Sequence, residues 1–165
     1  VTKSLTLPAP CKINLTLDVF PPRPDGFHDL DSIVATFTPA DEITVTVDER
    51  SGPSTVSLTC TDPTLPTDDA NLAYRAARLF LESFAPENVA VTISLEKRLP
   101  HQAGLGGGSS DAATVLKALA QLCAIEEDLS SLAATLGSDV PLFLYDGPVR
   151  MRGRGEIIEM LPFPL

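Results

Sequence analysis

The chain has 165 residues, 44% of them hydrophobic and 21% charged, with 12 Lys and Arg against 22 Asp and Glu for a net charge of −10. That length and mix suit one globular domain with a real core. No apolar run reaches the ~20 residues of a membrane-spanning helix, no secretory h-region opens the chain, and a chain this acidic lacks the basic surface that non-specific nucleic-acid binding needs. Cys11, Cys60 and Cys123 are scattered, with no CxxC pair. They read as buried thiols of a reducing compartment, so the expected location is the cytoplasm, with neither membrane nor nucleic acid as partner.

In chain order, the first elements read as strands. Ile13, Leu15, Leu17 and Val19 alternate with Lys12, Asn14, Thr16 and Asp18. That pattern predicts a half-buried strand with Lys12 and Asn14 on the face opposite the apolar one. Pro21 to Gly26 is a dense turn signal. Ile43, Val45 and Val47 form a second alternation, and Val89, Val91, Ile93 and Leu95 another. A helix is predicted over about Asn71 to Phe84, with Leu72, Ala76, Leu79 and Phe80 inward. A second follows Gly104–Ala112, with Ala112, Val115, Leu116, Leu119, Leu122 and Cys123 inward and Thr114, Lys117 and Gln121 outward. A third is predicted from Asp128 to a C′ glycine at Gly137, followed by an apolar strand-like run. The order predicts an α+β domain, a mixed or mostly antiparallel sheet with helices on one face.

The segment GLGGGSSDA, from Gly104 to Ala112, carries the most chemistry. Four glycines and two serines ahead of an amphipathic helix expose backbone N–H groups at a helix N-terminus, which suits a phosphate. It is not a Walker A loop, because no Lys follows the glycines. It is not the dinucleotide fingerprint either, because Ser109 stands where the third glycine would fall. A linker, or a helix capped by Ser109 or Ser110 with Asp111 in the first turn, is the alternative.

Other positions admit two readings each. Lys12 and Asn14 share a strand face in a segment with few charges, and without context such a pair is solvated surface. Asp139, in Gly137–Pro141, is either an Asx turn or a loop-borne catalytic carboxylate. Phe27 and His28 after the tight turn offer a flat ring beside a hydrogen-bonding one, which would suit a nucleobase. His101 stands beside the glycine loop. Lys97 and Arg98 precede that loop and suit a polyphosphate or an ordinary basic strand end.

Taken together, PAPCKINL, RPDGFH, KRLP with GLGGGSSDAA, and GSDVP, in that order over nearly the whole chain, resemble the GHMP kinases. The resemblance implies the GHMP kinase N-terminal fold, of the ribosomal protein S5 domain 2-like type, over residues 1–165. It implies ATP and Mg²⁺ as cofactors. Its RPDGFH segment implies a cytidine diphosphate-linked methylerythritol as the alcohol phosphorylated, in non-mevalonate isoprenoid biosynthesis. Carried over by motif, Lys12 and Asp139 flank the reacting hydroxyl, Asn14 contacts substrate, and Phe27 and His28 take the cytosine. Phe27 stands where the family often has Tyr. Gly104, Leu105, Gly106, Gly107, Gly108, Ser109 and Ser110 hold the triphosphate, with Lys97 near the nucleotide. The family also has a second half with another glycine-rich motif, which this chain lacks. The expectation is therefore a fragment or a shortened relative, partnered by its own C-terminal half if a fragment. The rival readings are another small-alcohol kinase of the family and a non-catalytic nucleotide-binding domain.

Overall fold

Residues 1–49, 52–84, 88–100 and 103–162 are described by the structure, a computed structural model. His101 lies outside them. The apolar alternations become the strands that carry the core. In β5 (Val89–Glu96) Val89, Val91, Ile93 and Leu95 are all buried. In the second half of β3 (His28–Glu49) so are Ile43, Val45 and Val47. The sheet is mixed, in the order β4 (Thr55–Cys60), β5, β3, β6 (Val149–Gly153), β7 (Ile157–Met160). β4 runs parallel to β5, and the other pairs are antiparallel. The long β3 also pairs with β1 (Thr2–Asn14) and β2 (Asp18–Pro22), so one strand joins both ends of the sheet.

Three helices complete one core with these strands. α1 (Leu72–Phe84) starts where Asn71 caps it, its Oδ1 accepting from the Ala73 amide at 2.9 Å. Ala73, Ala76, Ala77 and Phe80 form its buried face, and the predicted Leu72 and Leu79 pack at the border. α2 (Gly107–Cys123) is buried on more sides than its periodicity predicts. Thr114, expected outward, is 4% exposed, because α1 and α3, β1 and β3 all pack around α2. α3 is shorter than predicted, Ser130–Leu136, with Asp128 accepting from the Ser130 amide ahead of it. Gly137 caps it with φ 172°, an extended backbone and not the left-handed turn expected of a C′ glycine. The apolar run after Asp139 is a 3₁₀ turn, Pro141–Leu144, not a strand. Its Pro141 fits the first turn of a helix and would cost a strand its ladder hydrogen bond.

The first alternation is inverted. Ile13, Leu15, Leu17 and Val19 are 46%, 50%, 55% and 60% exposed, while Lys12 and Asn14 turn to the partly buried side. A period of two assigns two faces without saying which one is covered. Here the β1–β3 register shifts between Pro10 and Cys11, and regular pairing of β1 ends at Asn14. Leu5, Leu7 and Ala9 before the shift pack on the core. Beyond it the inner face meets the glycine loop, where the Lys12 amide donates to the Leu105 carbonyl at 2.9 Å.

Candidate active site

That backbone bond brings Lys12 and Leu105, 93 residues apart in sequence, into one place. A Cβ added at Gly106 would lie 2.9 Å from Cζ of Phe143 and 3.0 Å from Cγ of Lys12. Gly106 also has φ 71°, which L side chains rarely adopt. Gly106 is the N-cap of α2, and no side chain among the described residues caps the helix. The expected cap by Ser109 or Ser110 is corrected: helix α2 starts earlier, at Gly107, so both serines lie inside it. Its first N–H groups are left to another partner. Gly104 to Ser109 line an open cleft of about 230 Å³ together with Lys97 and Leu72. Ser110 is fully buried, and its Oγ has no hydrogen-bond partner among the described residues. A glycine that admits no side chain, uncapped N–H groups and an orphaned hydroxyl fit an anion at this loop.

Lys12 and Asp139, 127 residues apart in sequence, meet beside it. The ammonium lies 3.6 Å from the Asp139 carboxylate. It also donates to Asn14 Oδ1 at 2.7 Å. Asn14 Nδ2 in turn donates to Ser32 Oγ at 2.7 Å, and Ser32 donates to the Thr16 carbonyl at 2.6 Å. The chain Asp139–Lys12–Asn14–Ser32 fixes the ammonium from two sides. Ser32, fully buried on β3, was not singled out from the sequence.

Phe27 and His28 sit at a second cleft of about 430 Å³, shared with Ser138, Pro141, Arg154 and Glu156. Ser138 adjoins Asp139, so this cleft reaches the same turn. Phe27 is 49% exposed. His28 Nδ1 lies 2.7 Å from the Phe20 carbonyl, and Phe27 N donates to Asp25 Oδ1 at 3.1 Å, which fixes the turn. The Arg154 guanidinium covers one face of the Phe27 ring at 3.7 Å. A flat ligand on Phe27 therefore takes the other face or displaces Arg154. No signal for Arg154 was read in the sequence.

Lys97 is placed at the glycine loop but is already paired. Its ammonium contacts Asp41 and lies 2.9 Å from Asp111, with its side chain 6% exposed. Asp41 Oδ1 also accepts from the Arg98 amide at 2.5 Å and the Leu99 amide at 2.8 Å. Asp111 is the fifth residue of α2 and buried, so it lies past the first turn where the alternative, helix-cap reading put it. Arg98 turns away to Glu42 and Glu96. The period of β3 carried the signal for Asp41, which stands two residues before Ile43 on the same buried face.

Burial pulls the Lys97 ammonium down, but Asp111 and Asp41 outweigh it and hold Lys97 above its usual range. Burial pushes Asp111 up, Lys97 offsets part of that and Asp41 adds to it, leaving Asp111 at about 7.

The fold, helices packed on a mixed sheet, is that of the GHMP kinase N-terminal domain. The family model of the GHMP kinases N terminal domain matches residues 71–147. The chain is similar to 4-diphosphocytidyl-2-C-methyl-D-erythritol kinases. The one from Synechocystis sp. is 44% identical over 165 residues, covering 96% of this chain and 51% of that protein. The one from Salinibacter ruber is 45% identical over 157 residues, covering 93% and 53%. A crystal structure of 4-(cytidine 5'-diphospho)-2C-methyl-D-erythritol kinase superposes with a TM-score of 0.78 at 45% identity, over 97% of this chain and 56% of that one. Homoserine kinase from Cytophaga hutchinsonii shares the fold, with a TM-score of 0.73 at 21% identity, over 98% and 52%. The chain spans about half the length of the curated relatives it matches.

Proposed function

We propose that this chain supplies one half of an ATP-dependent kinase that phosphorylates the methylerythritol hydroxyl of 4-diphosphocytidyl-2-C-methyl-D-erythritol, the remaining half being a further GHMP domain. The meeting of Lys12 and Asp139 at 3.6 Å beside the glycine loop carries this reading. The similarity to curated kinases of that name supports the substrate.

In this reading the loop N–H groups and Ser110 hold the triphosphate. ATP supplies the transferable phosphoryl group. Mg²⁺ bound with ATP would supply charge neutralisation on the phosphates. Phosphoryl transfer proceeds through a loose transition state, so positioning and charge neutralisation matter most. A carboxylate is a weak base, and the alcohol need not be ionised first. Asp139 orients the hydroxyl and takes its proton late, and Lys12 stabilises charge on the transferring group. Asn14 holds Lys12 in place and can contact the substrate. The cleft at Phe27 and His28 takes the cytosine. Lys97 lies under the loop, near the nucleotide. No described helix is long and apolar enough to cross a membrane, and a cytoplasmic location fits this chemistry.

A coupled ADP-release assay on the full polypeptide, with the cytidine diphosphate-linked alcohol, mevalonate and homoserine in parallel, tests the reading. Turnover with the first alone is expected, and preference for either of the others would overturn it. Stacking of a base on an aromatic ring is worth roughly 1–3 kcal/mol. Phe27→Ala should therefore raise the KM for the cytidine substrate about 5- to 150-fold and leave the KM for ATP nearly unchanged. An equal rise in both would make Phe27 a packing residue.

A further inference from the structure

The charges beneath the glycine loop do not balance. Two carboxylates, Asp41 and Asp111, share one ammonium, that of Lys97, and all three side chains are at most 6% exposed. Asp41 spends Oδ1 on two amides and Oδ2 on Lys97. Asp111 spends only Oδ2, on Lys97, and its buried Oδ1 has no partner among the described residues. The cluster touches the loop: a Cβ added at Gly107 would lie 3.4 Å from the Lys97 ammonium and 3.6 Å from Asp41 Oδ2. Lys97 also lines the cleft formed by Gly104 to Ser109, so an anion in that cleft lies beside this cluster.

We infer that Asp111 is a positioning residue whose buried carboxyl takes up a proton when a polyphosphate settles on the loop, so that the cluster below carries no net negative charge. This rests on the loop being the phosphate site. With Asp111 ionised the cluster has a net charge of −1 and repels the ligand. With Asp111 protonated it is neutral and still holds Lys97 through Oδ2.

The neighbours agree. Among the described residues the charged groups facing Asp111 are Lys97 and Asp41, and Cys60 at the end of β4 is a further titratable neighbour. Burial raises the Cys60 thiol and keeps it neutral. Burial, offset in part by Lys97 and reinforced by Asp41, puts Asp111 at about 7. A bound polyanion raises it further, because a like charge disfavours ionisation. The sign follows from linkage: the bound state holds more protons than the free state, so affinity falls as pH rises through and above 7.

The test uses ATP saturated with Mg²⁺, whose phosphates no longer titrate between pH 6 and 9. Calorimetry in buffers of different ionisation enthalpy should show uptake of about half a proton per ATP near pH 7.5, for a shift of roughly one unit on binding. The dissociation constant should rise roughly tenfold from pH 6 to 9. Asp111→Asn keeps an acceptor for Lys97 and cannot titrate. It should abolish the uptake and flatten the pH dependence at the tighter, low-pH affinity. A merely structural role would weaken binding at every pH and leave the slope. A second measurement needs no variant: carbon NMR of the Asp111 carboxyl in the wild-type full polypeptide should titrate near 7 without ATP and higher with it. A midpoint in the ordinary carboxylate range, or ATP binding without proton uptake, overturns this inference alone. No ATP binding at any pH, with the NMR midpoint still near 7, overturns the phosphate-loop reading and the inference with it.

Discussion

Asp139→Asn should lower kcat in the full polypeptide by about 10²–10⁴ while ATP still binds, since loss of a general base typically costs that much. The substitution keeps the shape of the side chain and removes its capacity to take a proton. Lys12→Ala should give a similar loss by removing the charge that meets the transferring group. The ion pair itself adds little to stability, because Asp139 is 37% exposed and such pairs are worth about 0–1 kcal/mol. A kinetic defect without a matching fall in Tm is therefore expected for both. The double variant should lose less than the product of the two single losses, because residues that act as a unit are non-additive. Fully multiplicative losses would mean that the two side chains work on separate steps.

Gly106→Val should abolish ATP binding. The added side chain starts 2.9 Å from Phe143 and 3.0 Å from Lys12, in a left-handed backbone that valine rarely adopts. The loop must move, and with it the amides aimed at the phosphates and the bond from Lys12 to Leu105. Calorimetry on a variant shown by circular dichroism to keep its secondary structure reads this directly. Gly104→Ala is the informative companion. Gly104 has φ 74° and open space around its Cβ, so its cost is backbone strain alone. A loss at Gly106 much larger than at Gly104 locates the effect in the crowded contact with Lys12 and Phe143.

Much of the fold was legible because it rests on periods. The alternation from Ile43 to Val47 and that from Val89 to Leu95 name both buried strands, and the spacing from Ala112 to Leu119 names the central helix. The inverted face of Lys12 was not legible. Leu15 and Leu17 are apolar, and only the shift at Pro10 and the arrival of the glycine loop put Lys12 and Asn14 on the inner side. Thr114 was misplaced for a related reason, since a helix packed on several sides buries polar positions that a one-sided pattern assigns to solvent. The site was legible as motifs and illegible as contacts. Asp139 and Lys12 are named by their neighbours in sequence, but their meeting depends on how β1, α3 and the 3₁₀ turn converge. Ser32, Asp41 and Arg154 belong to no motif. They act by holding Asn14, holding Lys97 and covering Phe27, and such roles exist only after folding. Of the three, only Asp41 left a trace, as a carboxylate in phase with the buried side of a strand.

In the proposed enzyme the glycine loop, the Lys12–Asp139 pair and the Phe27–His28 cleft form one continuous site. A crystal structure of the full polypeptide with a non-hydrolysable ATP analogue and the cytidine diphosphate-linked alcohol tests this most directly. The triphosphate should lie on the amides of residues 104–109, the acceptor hydroxyl between Lys12 and Asp139, and the cytosine against Phe27. A triphosphate bound away from that loop, or an acceptor hydroxyl out of reach of Asp139, would contradict it.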